Sequence, residues 1–146
     1  MRGFTLIETL ITTAILVTGL VAVAAVFSYS AGANVTTRQR TTAVALLSEK
    51  MEQFKSASLT GDAWREGGVL NPLFPAAGYF DYATIDNQGS VMTSAVNSSF
   101  PYVRVWRIEG GMPRKVTIAV YNRKSAFTGQ SVELIRAATV KSSGVF

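Results

Sequence analysis

One carboxylate sits where a charge is costly. Between Arg2 and Arg38 the chain carries a single charged residue, Glu8, and residues 4–27 around it form an apolar run broken otherwise only by threonines. About 20 consecutive apolar residues of helix cross a bilayer, so this run is long enough. An acidic side chain in such a span costs a few kcal/mol at its centre and less near an end. Ionisable groups in that setting are expected to have a partner and a role. No Lys or Arg is spaced to meet Glu8 along the helix. The chemistry open to it is pairing with a cation from the chain terminus, another subunit or a lipid headgroup.

Elsewhere the inventory is restrictive. The 146 residues include no histidine and no cysteine. The usual general base, the commonest metal ligand and any disulfide framework are therefore missing. Serines are plentiful, but a serine nucleophile needs a base beside it. No glycine-rich phosphate loop and no metal-ligand cluster is found, so neither enzymatic activity, a cofactor nor a metal is expected. Asp81, Asp86 and Asn87 lack the dense acidic spacing and closing Glu of a calcium loop and read as turn-forming side chains.

Charge is unevenly distributed. Residues 56–99 hold one basic and four acidic residues, and residues 100–146 hold eight basic and two acidic. Such asymmetry suits docking between subunits, or binding to nucleic acid, and it also suits ordinary solvated loops and strand edges. Arg104, Arg107, Arg114 and Lys115, with Arg123 and Lys124, cluster in sequence around Trp106 and Tyr121. Basic side chains with exposed aromatics suit single-strand or backbone binding. The same residues serve edge protection and solubility on strands. Nucleic acid is the lesser of these readings.

The surroundings of Glu8 complete a motif. Gly3-Phe4-Thr5-Leu6-Ile7-Glu8, behind Met1-Arg2, resembles the processing signal of type IV prepilins and the related pseudopilins of type II secretion. The resemblance rests on about the first 30 residues, with a weaker likeness through 43–55 and the hairpin near 103–120. It implies cleavage between Gly3 and Phe4 by a prepilin peptidase, which also methylates the new Phe4 amine. It implies a single-pass protein of the bacterial inner membrane with its C-terminal head in the periplasm, later drawn into a filament by an assembly platform. It further implies that Glu8 pairs with the Phe4 amine of a neighbouring subunit. Minor pilin is the favoured member, with a minor pseudopilin as the alternative and a DNA-binding minor pilin behind both. Many type IV pilins close a C-terminal loop with a disulfide, and this cysteine-free chain departs from them.

Two other readings of the N-terminus fare worse. A secretory signal peptide cut near Ala31-Gly32-Ala33 would carry a charge in its apolar core and an overlong apolar run. A plain signal anchor leaves the Gly-Phe junction before Glu8 unexplained. Arg2 precedes the span while Arg38 and Arg40 follow it, so the positive-inside rule does not itself choose the orientation.

The elements that must position these residues follow from periodicity. Residues 1–3 read as a leader, 4–33 as a membrane or filament-core helix and 34–146 as a globular head. No proline interrupts residues 4–55, so one helix of roughly 78 Å is expected at 1.5 Å per residue. From residue 34 it turns amphipathic, with Ala43, Leu47, Met51 and Phe54 on one stripe beside Leu46. Gly19 and the nearby alanines suit close helix approach. Residues 56–100, punctuated by glycine and proline, read as a long connection. Three strands are expected within 101–141, at 102–108, 114–121 and 132–140, forming an antiparallel meander over the helix stripe. The buried face of the first strand stays open, because Val103 and Val105 compete with Tyr102, Trp106 and Ile108. The expected class is α+β: a pilin-like long N-terminal helix with a small three-stranded sheet.

Overall fold

The computed structural model describes residues 5–96, 99–123 and 132–142. Helix α1 runs from Leu6 to Ser56 without a break. A single turn of 3₁₀ helix follows at Asp62–Trp64. The strands are β1 (Phe80–Ile85), β2 (Val91–Ser94), β3 (Tyr102–Glu109), β4 (Arg114–Asn122) and β5 (Glu133–Lys141). They form one antiparallel sheet in the order β2-β1-β3-β4-β5. The chain divides into two compact units, Met1–Arg38 and Gln39–Phe146, and α1 contributes to both.

The class is α+β with a long N-terminal helix, as expected, but the sheet has five strands rather than three. The two additional strands come from residues 56–100, expected to be a connection throughout. β1 was obscured by Asp81, the second residue of Phe-Asp-Tyr-Ala-Thr-Ile, which interrupts the apolar signal. That carboxylate is satisfied by basic side chains on α1 and β3, so the strand survives it. β2 has only four residues and pairs with β1 across a tight turn. In that turn the Asp86 carboxylate accepts the backbone N–H groups of Gln88 and Ser90, each at 2.8 Å. This is the turn-forming role expected of Asp86.

In the second unit the amphipathic part of α1 packs on one face of the sheet. Ala43, Leu46 and Leu47 meet Ala83, Tyr102 and Val120. Two turns further on, Phe54 meets Trp64, Trp106, Ile108, Val116 and Ile118. Its ring makes edge-to-face contacts with Trp64 at 5.5 Å and Trp106 at 6.1 Å. Burial of each large apolar side chain contributes roughly 1.5–3 kcal/mol. The 3₁₀ turn is pinned there by Trp64 Nε1, which donates to the Phe54 carbonyl at 3.0 Å.

Both faces of β3 are buried, which resolves the competition left open by its sequence. Tyr102, Trp106 and Ile108 face the helix, while Val103 and Val105 join Ala119 and Tyr121 in a cluster on the opposite face. Leu70, Phe80 and Tyr82 pack against that second cluster. The segment before β1 also extends the sheet beside β3: Gly67 and Ile108 exchange backbone hydrogen bonds at 3.1 and 2.8 Å. Gly68 follows with φ +90°, and a Cβ there would lie 2.2 Å from the Trp106 carbonyl, so only glycine permits the approach.

Candidate functional site

In the first unit the polar side chains of α1 are mostly satisfied within the helix. Thr12 donates its hydroxyl to the Glu8 carbonyl at 2.7 Å and Thr18 to that of Ala14 at 2.7 Å. Thr9 and Thr13 do the same one turn back. Threonine can sit on an apolar helix by this device, because its hydroxyl bonds a carbonyl of the same helix. Glu8 differs. It is exposed in the first turn of α1, with its backbone N–H donating to the Thr5 carbonyl at 3.0 Å. Among the described residues its carboxylate takes part in no ion pair. Gly3 and Phe4, the expected cleavage and methylation positions, lie outside the described residues. Leu6, Ile7, Leu10, Ile11 and the apolar side chains on to Phe27 are exposed all round the helix. Among the described residues α1 is the single candidate membrane-spanning helix, and its apolar window lies near the N-terminus, consistent with a single-pass membrane protein.

The basic residues singled out in the sequence are not one surface. Arg104 is completely buried, beneath α1. Its guanidinium grips Asp81 with two bonds, Nε to Oδ1 at 2.7 Å and Nη2 to Oδ2 at 2.8 Å. Nη1 donates to the Leu46 carbonyl at 2.9 Å and to the Glu49 carboxylate. Lys50 adds a second cation, 3.1 Å from Asp81 and 4.1 Å above the Trp106 ring. Burial works against the Arg104 charge, but the hydrogen bonds and charges of Asp81 and Glu49 outweigh it, and its pKa is raised. Arg104 is thus a structural cation with no route to a ligand, which corrects its place among the nucleic-acid candidates.

Arg114 is also engaged internally. It donates to the carbonyls of Leu59 and Trp64 and holds the segment after α1 to the start of β4. Trp106 and Tyr121, expected as exposed aromatics, are buried on opposite faces of the sheet. Arg107 and Lys115 do lie together in the open, on the face away from α1, and both pair with Glu109. The same face carries Arg136, on β5, paired with Glu133. The Tyr121 hydroxyl lies 2.9 Å from Glu133 and 3.1 Å from the Leu70 carbonyl. Burial, then the neighbouring carboxylate, raise the Tyr121 pKa. Burial would raise that of Glu133, but Arg136 and Tyr121 prevail and lower it, so Glu133 is anionic at neutral pH.

Sequence reasoning missed the Glu49–Lys50–Asp81 set around Arg104. The available signal was a charge within each of two otherwise apolar strand segments, Asp81 in β1 and Arg104 in β3, and those residues prove to be register partners. It also missed Arg136, which lies far along the chain from Arg107 but two strands away in the sheet. Among the described residues no group of three or more His, Cys, Asp or Glu could hold a metal ion. Set against models of known families, curated proteins and solved structures, the chain gives no significant match.

Proposed function

We propose that the chain is a minor prepilin, a structural subunit of a type IV pilus. The observation that carries this reading is Glu8: an unpaired carboxylate, among the described residues, on the N-terminal part of α1, where the apolar side chains from Leu6 to Phe27 are exposed on every side. Such a surface demands cover from lipid or from other helices. Glu8 demands a cation wherever that cover excludes water. The prepilin reading supplies both. The helix waits in the inner membrane with the head in the periplasm, and prepilin peptidase cuts after Gly3 and methylates Phe4. In the filament the helix packs among those of other pilin subunits, and the Phe4 amine of a neighbour offsets the Glu8 charge. The motif is shared with minor pseudopilins of type II secretion, whose assembly would use the same residues in the same roles.

Mass spectrometry of the mature N-terminus tests the reading directly. The expected polypeptide begins at Phe4 and carries one added methyl group. An intact Met1-Arg2-Gly3, or a start near Asn34, would contradict it.

A further inference from the structure

Asp62 opens the 3₁₀ turn, Arg65 closes it, and both line one cavity of about 420 Å³. The Arg65 N–H donates to the Asp62 carbonyl at 3.1 Å. Residues three apart in such a turn stand above one another, about 6 Å apart. Opposite charges in that relation are placed to pair, and these do not. Among the described residues neither side chain takes part in an ion pair or a hydrogen bond, and both residues are exposed. Arg65 is also the one basic residue between positions 56 and 99, a stretch with four acids.

The turn that carries them is anchored. Trp64, between the two, is completely buried, and its Nε1 bond to the Phe54 carbonyl ties the turn to α1. Arg114 donates to the Trp64 carbonyl from β4. The Tyr79 hydroxyl donates to the carbonyls of Arg65 and Glu66, at 3.2 and 3.0 Å. Two unspent charges of opposite sign are thus held on a rigid frame, which lowers the ordering cost of binding. Phe54, Tyr79 and Trp106 give the cavity an aromatic wall. Lys50 lines it too, 3.1 Å from Asp81 and 4.1 Å above the Trp106 ring. Asp81 takes one of its three N–H donors, so the ammonium keeps capacity for a second anion.

We propose that this cavity binds a free α-amino acid with an apolar side chain. The ligand's ammonium lies against Asp62, its carboxylate against Arg65 and Lys50, and its side chain against Phe54 and Tyr79. A zwitterion fits because the two open charges differ in sign and stand one turn apart. A plain carboxylate would meet Asp62, and a plain amine would meet Arg65. A peptide carries its amine and carboxylate on different residues, so it cannot offer both beside one side chain. Apolar walls with a few placed polar groups are the usual make-up of a small-molecule site. The cavity lies wholly within the second unit, and the inference does not depend on the filament reading.

The test is titration of the full chain, in non-ionic detergent micelles, with L-phenylalanine, followed by amide and indole NMR shifts. Millimolar binding is expected, since so small a ligand has few atoms to contribute. The shifts should centre on Gly78, Tyr79 and the Trp106 indole. Phenylpropionate, which lacks the amine, and phenethylamine, which lacks the carboxylate, should each bind about fivefold more weakly, the loss of one exposed ion pair. Asp62→Asn should weaken phenylalanine and phenethylamine but not phenylpropionate. Arg65→Gln should weaken phenylalanine and phenylpropionate but not phenethylamine. Misfolding cannot imitate that crossed pattern. No shifts at the cavity, equal binding of either analogue, equal binding of glycyl-phenylalanyl-glycine, or substitutions that weaken all three ligands alike would each overturn the proposal.

Discussion

Arg104 carries a full positive charge where no solvent reaches it. A lone buried ion of this size costs several kcal/mol, and it is tolerated here because Asp81, Glu49 and Lys50 complete a cluster of two cations and two anions. The cluster ties three elements together: α1 through Leu46, Glu49 and Lys50, β1 through Asp81, and β3 through Arg104 itself. Arg104→Ala would leave Asp81 with Lys50 alone in an apolar setting. It should destabilise the second unit by about 3–5 kcal/mol in chemical denaturation. Replacing both partners, Arg104→Met with Asp81→Leu, should recover much of that loss; a single substitution costing under about 1 kcal/mol would show the cluster to be incidental. Nothing local in the sequence reveals this role. Asp81 is 23 residues away, and an Arg in a strand looks like an edge or ligand-binding cation until its face is known.

At the scale of elements, legibility followed signal length. The α1 stripe at Ala43, Leu47, Met51 and Phe54, with Leu46 beside it, repeats over several turns; all are buried except Met51, which is partly buried against both core clusters. β3, β4 and β5 advertise themselves by β-branched and aromatic residues, and the structure places them within a residue or two of the expected bounds. β1 and β2 are shorter, β1 carries a charge at its second residue, and their burial depends on partners that come later in the chain. The end of α1 is likewise settled from a distance. Lys141, the last residue of β5, donates its ammonium to the carbonyls of Lys55, at 2.6 Å, and Ala57. A cation there meets unpaired carbonyls and the negative end of the helix dipole. Lys141→Ala should lower stability by about 0.5–1 kcal/mol and speed amide hydrogen exchange at residues 53–57 ahead of the rest of the helix. Unchanged exchange there would show that the helix ends without help from β5.

For the molecule as a whole, the two units pose different physical problems. The second unit, Gln39–Phe146, buries its own core on both faces of a five-stranded sheet. In the first, Met1–Arg38, the large apolar side chains among the described residues are exposed, so it cannot be at rest alone in water. We propose that lipid covers it first and other subunits later, with Glu8 steering the exchange. Glu8→Gln keeps the size of the side chain and removes its charge, so it separates packing from pairing. In cells, the variant should reach the inner membrane in normal amounts and be depleted roughly tenfold or more from sheared filaments, a difference of about 1.4 kcal/mol or greater. Filaments that contain Glu8→Gln at the level of the unaltered chain would show that the Glu8 charge does not govern assembly.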